Sequence, residues 1–515
     1  MPALSGVAAR SLAARWREGA ERARALGHPV LVSVSKPAPP PDPIRALAHF
    51  ASVSESSCTG WEVALWARPA AGLAMVGLGT AAALTARGPQ RFAQLSAAWR
   101  QLVETALYES AGQGPARGPI GLGGFAFEDD SEARDGAWGP EAGPWESFPP
   151  ALIAVPRVLL WRAGRAGGVV ISALADPHRA DAGPRPDDAE LADVPFGDGP
   201  DGEGLAGKAA QQETPAMPGL AAEFPIERPA VEFELQEDDA RRWKATVAET
   251  ARAVREGRLA KAVLARRVTV RLPQEIEVDR LLAALWQAYP HCSLFAFRRS
   301  GRWFAGATPE RLVKVQGGNV YSSCLAGSAP RGRDAEEDRL LEQALRANPK
   351  ERREHALVLE AIRGGLNRVC RRVESPAEPS VWKLPTIQHL HTLVAGQLLP
   401  SVGVLEAAGQ LHPTPAVGGV PREAALEWIR RHEGVERGWY AGPVGWVGPA
   451  GEGEFAVAIR CAVIEGRRAV LYAGCGILGE SDPEAEYRES WLKLRPMLAA
   501  LKAASGGQAP ARREA

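Results

Sequence analysis

GCGILGESDPEAEYRESWLK, Gly474 to Lys493, decides how the rest of the chain is read, because a glycine turn gives way here to a charged helix. Ser481 and Glu484 have the spacing of a capping box, and Pro483 stands where a first-turn proline is tolerated, so a helix is expected to start here. Tyr487, Trp491, Leu494 and Leu498 recur at i, i+4, i+7 and i+11, the spacing of a stripe packed on a core. Glu486, Glu489 and Lys493 share another face. Two carboxylates and an ammonium so placed can clasp a hard cation and an anionic ligand, or form ion pairs on a solvated face, and the second is the commoner arrangement. Gly474 and Gly476 let the backbone approach a ligand closely, although a turn would explain them equally.

The 515 residues are 45% hydrophobic, enough for a large core. Lys+Arg and Asp+Glu both number 61, so no overall field favours nucleic acid or an anionic membrane, and a small-molecule ligand is expected instead. Cys58, Cys292, Cys324, Cys370, Cys461 and Cys475 stand singly, without zinc or disulfide spacing, which points to reduced thiols and the cytoplasm. The uncharged run 69–86 is broken by Gly72, Gly77 and Gly79 and reads as strand, turn and helix rather than a membrane span. The arginine-bearing N-terminus lacks the apolar core of a signal, and a surface helix is expected.

Alanine and arginine alternate in a helical pattern over 8–27, and KPAPPPDP (36–43) forces an extended link, giving a first segment of 1–59. Residues 60–175 carry strands around a helix at 88–111, on whose single face Phe92, Leu95, Trp99, Leu102 and Leu107 are expected. The Pro-, Gly- and Asp-rich stretch 176–230 reads as a mobile linker, 231–503 as the ligand-binding region and 504–515 as a disordered tail. Strands and amphipathic helices on both sides of the linker assign an α+β body.

Within 231–503, a helix over 237–256 ends at Gly257, and Lys261 opens the strand KAVLARRVTVRL. Its alternation with Val263 and Ala265 puts the lysine on a partly buried face, where desolvation would disfavour its charged form, unless it snorkels from the strand end. SLFAFRRSGRWFAGATPERLVKV (293–315) reads as two strands, with Glu310 after the Thr308-Pro309 bend. Gly327 and Ser328 can offer donors to an anion or simply turn the chain. Glu354 lies on the side of its helix that carries Leu357, Val358 and Ala361. A carboxylate there needs a metal or a strong hydrogen-bonded partner, and the metal is favoured, with Glu486 and Glu489 completing an oxygen-rich site suited to magnesium. His389 is better read as facing a ligand than, with His391, as a zinc ligand. Arg460, ending an apolar strand, can receive a carboxylate or serve in a structural ion pair.

In this order, KAVLARR, GATPE, CLAGSAPRG, REHALV, LHPTPAVGG, YAGPVGW, GEFAVAIRCA and GCGI with EYRESWLK resemble the chorismate-utilising enzymes, most closely the isochorismate-forming members. The resemblance is strong over 237–500 and weaker over 60–175. It implies a single layered α-β-β-α sandwich and a chorismate substrate. It also implies that Lys261 is the base that activates water and Glu310 the acid that protonates the departing C4 hydroxyl. Glu354, Glu486 and Glu489 would hold Mg2+, and Gly327, Ser328, His389, Ala416, Tyr440, Arg460, Gly474, Gly476 and Lys493 would face the substrate. No organic cofactor and no glutamine amidotransferase subunit are implied. Ammonia-using relatives such as anthranilate synthase usually carry glutamine where Lys261 stands. Aminodeoxychorismate synthases often have lysine in place of Ala326, and salicylate synthases tend to have threonine in place of Ala416. A chorismate-binding regulator without catalysis would not need both Lys261 and Glu310. Menaquinone and siderophore synthesis are both consistent with such an enzyme.

Overall fold

The computed structural model describes residues 3–53, 60–109, 114–116, 118–129, 143–178, 234–237, 240–383 and 387–504. Two largely antiparallel sheets, of thirteen and ten strands among the described residues, lie face to face with helices on their outer sides. This is the expected α-β-β-α sandwich. Each sheet draws strands from both ends of the chain. In the larger sheet Ser293–Arg299 pairs with Val63–Arg68, and in the smaller Pro443–Val447 pairs with Gly121–Phe125.

Strand alternation sets the two cores. One face of the larger sheet sends Trp61, Trp66, Phe295, Phe297 and Phe304 inward to meet Leu122, Phe125, Val444 and Phe455 of the smaller sheet. The other face, with Val32, Leu65, Val76 and Leu294, is covered by helices that bring Leu47, Phe50, Leu281, Leu285, Leu494 and Leu498. Gly123 lies where any β-carbon would come within 1.9 Å of the Leu152 carbonyl, so close strand packing requires a glycine there.

Several expectations are corrected. Residues 3–53 hold more than the expected helix and extended link: between the helices Ala3–Leu26 and Pro43–Val53 lies the strand Val30–Pro37, which pairs with Ala166–Ala175 inside the larger sheet. The run 69–86 holds a short 3-10 turn and two strands but no helix, since its alternating side chains bury on a sheet. The helix expected to 111 stops at Thr105, and Leu107 is buried from the strand Leu107–Glu109. SLFAFRRSGRWFAGATPERLVKV makes three strands, Ser293–Arg299, Arg302–Thr308 and Arg311–Gln316, because the Thr308-Pro309-Glu310 bend passes the chain from one sheet to the other. The last helix runs Pro483–Ala504, uninterrupted by Pro496. Asp482, not Ser481, caps it, accepting a hydrogen bond from Ala485 N at 2.8 Å. The 176–230 linker, apart from 176–178, and the tail beyond Ala504 lie outside the described residues.

Candidate active site

Lys261 begins the strand Lys261–Arg271, with its side chain 1% exposed, and its Nζ donates to Glu354 Oε1 at 2.7 Å. Room for that reach comes from Gly476 on the neighbouring strand Arg468–Ile477. A β-carbon there would stand 2.7 Å from Lys261 Cε and 3.3 Å from Glu354 Oε1. Glu354 thus has a partner, as burial demands, and it is the hydrogen-bonded lysine rather than Glu486 or Glu489. Its helix, Pro349–Asn367, buries His355, Val358 and Ile362 while Ala361 is exposed, so Glu354 sits at the margin of the apolar face rather than on it.

Glu310 is buried in the bend between two strands. Burial pushes its carboxyl up to about 7, against the opposing pull of Arg460, Lys261 and Lys493 and of the Thr414 hydroxyl. Arg460 is held in the left-handed region at φ 55; its carbonyl accepts from Ala307 N at 3.2 Å, and its guanidinium makes no hydrogen bond or ion pair among the described residues. A half-buried guanidinium so placed, its backbone strained, is available to an anionic ligand. Of the two readings of Arg460, the structural ion pair is therefore set aside.

His389 Nδ1 is hydrogen-bonded to Ser328 Oγ at 2.7 Å, while its buried Nε2 has no protein partner. Burial, then the charges of Arg460 and Lys493, lower its pKa to about 3, so the ring is neutral. Ser328 N donates to Glu351 Oε2 at 2.8 Å and is not the free anion donor expected from CLAGSAPRG, although Gly327 beside it does adopt φ 79. Tyr440 is buried, and a β-carbon on Gly474 would lie 3.0 Å from its hydroxyl. His391 faces outward against the edge of Trp382, 5.4 Å between centroids, apart from the zinc role already disfavoured.

Lys493 Nζ bridges Glu489 Oε1 at 2.7 Å and Gly474 O at 2.8 Å, tying the last helix to the glycine strand. Burial opposes its charge, but Cys475 and Glu489 raise its pKa overall. Glu486 is buried and accepts from Ser481 Oγ at 2.7 Å; burial and the neighbouring Glu489 raise its carboxyl. One ligand atom each from Cys475, Glu486 and Glu489 lies within 4.8 Å of the others, a grouping able to hold a metal ion. Glu351 is raised by burial and by the charges of Glu354 and Glu489, which brings a fourth carboxylate into this field.

Sequence reasoning passed over Glu351 and Thr414. A signal for Glu351 exists in its i, i+3 spacing from Glu354. Ala416 lies in the turn after Thr414, partly buried against the inter-sheet core.

The profile of the family described as chorismate binding enzyme matches residues 18–185 and 203–502. The salicylate biosynthesis isochorismate synthase of Pseudomonas aeruginosa is 35% identical, over 94% of this chain and 93% of its own length. The isochorismate synthase MenF of Bacillus subtilis is 34% identical, over 93% and 95%. Among solved structures, the menaquinone-specific isochorismate synthase of Escherichia coli superposes with a TM-score of 0.67 over 94% of this chain and 99% of that one; at 24% identity this is a likeness of fold.

Proposed function

The chain belongs to the chorismate-binding enzymes, and from that premise we propose that it is an isochorismate synthase, adding water at C2 of chorismate as the C4 hydroxyl leaves. One observation carries the reading: Glu310, its carboxyl pushed up to about 7 by burial against the pull of Arg460 and Lys493, can hold a proton around neutrality and give it up there. Protonation of the C4 oxygen lets it depart as water. Lys261, donating one hydrogen to Glu354, can as a free amine present its lone pair to the incoming water and take its proton. Water is consumed at C2 and released at C4, so the reaction is an isomerisation.

In this reading Arg460 and Tyr440 receive the enolpyruvyl carboxylate; the guanidinium left without a protein partner and the orphaned His389 Nε2 support it. Gly474 and Gly476 leave room at this wall for the Tyr440 hydroxyl and the Lys261 side chain. Lys493, braced by Glu489, adds positive charge at the same wall.

The carboxylates fit a hard divalent cation, because Glu486 and Glu351 are both raised by burial and by neighbouring acids, a repulsion that such an ion relieves. We assign Glu354, Glu486 and Glu489 to hold magnesium, which when bound would supply charge neutralisation and a Lewis acid for the ring carboxylate. No described helix is long and apolar enough to cross a membrane. Cys292, Cys324, Cys370, Cys461 and Cys475 are buried free thiols, in keeping with a reducing cytoplasm.

Incubation of the purified protein with chorismate and magnesium, followed by chromatography, tests the reading. Isochorismate as the main product is expected, with salicylate at most minor. Accumulation of salicylate at neutral pH, or an unchanged substrate, would replace this reading with the salicylate synthase or the non-catalytic one.

A further inference from the structure

The strand that carries Lys261 has a gap along one edge. The short strand Gly419–Val420 pairs with it at Lys261 and Ala262, and Glu234–Glu237 pairs with it from Val268 to Arg271. Between them the backbone groups of Val263 and Ala265 face no full strand, and such groups cannot be left unpaired in a core. Val263 N donates to Gly418 O at 2.8 Å. Val263 O accepts from Arg437 NH2 at 2.7 Å, Ala265 N donates to Glu433 Oε2 at 2.8 Å, and Ala265 O accepts from Trp243 Nε1 at 3.1 Å.

Glu433 and Arg437 themselves form an ion pair with side chains 1% and 2% exposed, and the guanidinium lies 4.1 Å over the Phe127 ring. Arg437 NH1 donates to Val417 O at 2.8 Å, and its own carbonyl accepts from Tyr440 N at 2.9 Å. The planar fork therefore touches two segments, the strand two residues beyond Lys261 and the turn one residue beyond Ala416, while the same residue's carbonyl holds a third, the turn that presents Tyr440. A desolvated pair costs more to bury than to expose unless every donor and acceptor is used, and here nearly all are.

We infer that Glu433 and Arg437 are positioning residues, a side-chain clamp in place of a missing strand that fixes the attack distance between Lys261 and a substrate resting against the Ala416 turn and Tyr440. The clamp touches no substrate and acts through those three segments. This rests on the water-adding reading above.

The test uses Glu433→Gln and Arg437→Lys in the full chain, with the wild type in parallel. Gln keeps the shape but, as a neutral acceptor, holds Ala265 N more weakly and loses the charge that orients the fork; lysine keeps charge but cannot hold both carbonyls and Glu433. We expect kcat to fall about tenfold in Glu433→Gln and about 100-fold in Arg437→Lys, the scale set by small misplacements of reacting groups. KM for chorismate should stay within about threefold, and the Ala265 amide should exchange faster with solvent in Glu433→Gln. A folded Glu433→Gln enzyme with wild-type kcat overturns the inference. So does activity lost only in proportion to unfolded protein, or an equal loss through KM, since either makes the pair merely structural. A wild type that leaves chorismate unchanged would instead sink the functional reading.

Discussion

Lys261 Nζ and Glu354 Oε1 stand 2.7 Å apart across the seam between a sheet edge and a helix, joining the expected base to an expected magnesium ligand. This pairing makes the lysine's function depend on a residue ninety-three positions away in the chain. Lys261→Ala is expected to lose about 10²–10⁴-fold in kcat, the usual contribution of a positioned base, while still binding chorismate through Arg460, Tyr440 and His389. Turnover and chorismate affinity measured on the same variant decide it: near-normal turnover excludes the lysine as base, and lost affinity makes it an anchor.

Glu354→Gln should keep the fold, because an amide can still accept from Lys261, yet weaken magnesium binding. Calorimetric titration with magnesium gives the check. An unchanged affinity removes Glu354 from the metal site, and turnover undiminished in excess EDTA removes the metal requirement altogether.

Gly476→Ala puts a methyl 2.7 Å from Lys261 Cε, whereas Gly474→Ala comes no nearer than 3.0 Å to the Tyr440 hydroxyl and 3.3 Å to Val263 Cγ1. The lysine must swing away in the first case, and a tenths-of-an-ångström shift suffices in the second. Turnover should therefore fall far more in Gly476→Ala, by about 100-fold, with both proteins melting near the wild-type temperature. Equal activities in the two variants would show that Lys261 does not need its present path.

The Glu310 carboxyl, raised to about 7 by burial, sets a pH dependence. Its folded value lies above its unfolded one, so the folded protein holds the extra proton between about 4.5 and about 7 and stability falls as pH rises through that window. The effect is on the order of 3 kcal/mol. kcat should decline on the alkaline side of about 7 as the acid loses its proton. Glu310→Gln should abolish both trends; a stability profile that keeps its slope in the variant would assign the titration to another group.

What could be read in the sequence was what local spacing encodes. The stripe of Tyr487, Trp491, Leu494 and Leu498, the helix stop at Gly257 and the opening of a strand at Lys261 follow from period and turn chemistry, and each stands in the structure. The split of 293–315 into three strands was not legible, because a bend that moves the chain between sheets looks locally like any turn. The N-terminal strand was missed because VLVSVSKP is short and its burial is decided by a partner, Ala166–Ala175, far along the chain. Lys261, Glu310 and Lys493 were legible as candidate site residues through ordered motifs. The Lys261–Glu354 pair and the burial of Thr414 depend on how separate segments cross, which no single segment encodes.

The interleaving of early and late strands in both sheets has a consequence for synthesis of the protein. Ala67 pairs with Leu294 and Leu122 with Trp446, so each of these early strands has one neighbour close by in the chain but waits for the second until far more of the chain has been made. Until then Val63–Arg68 and Gly121–Phe125 present bare, apolar edges of the kind that recruit other chains. A fragment of 231–503 made alone would carry the complementary defect, with Ser293–Arg299 and Pro443–Val447 left uncovered. Such a fragment should precipitate, and mixing it during refolding with a second fragment of 1–178 should bring it back into solution.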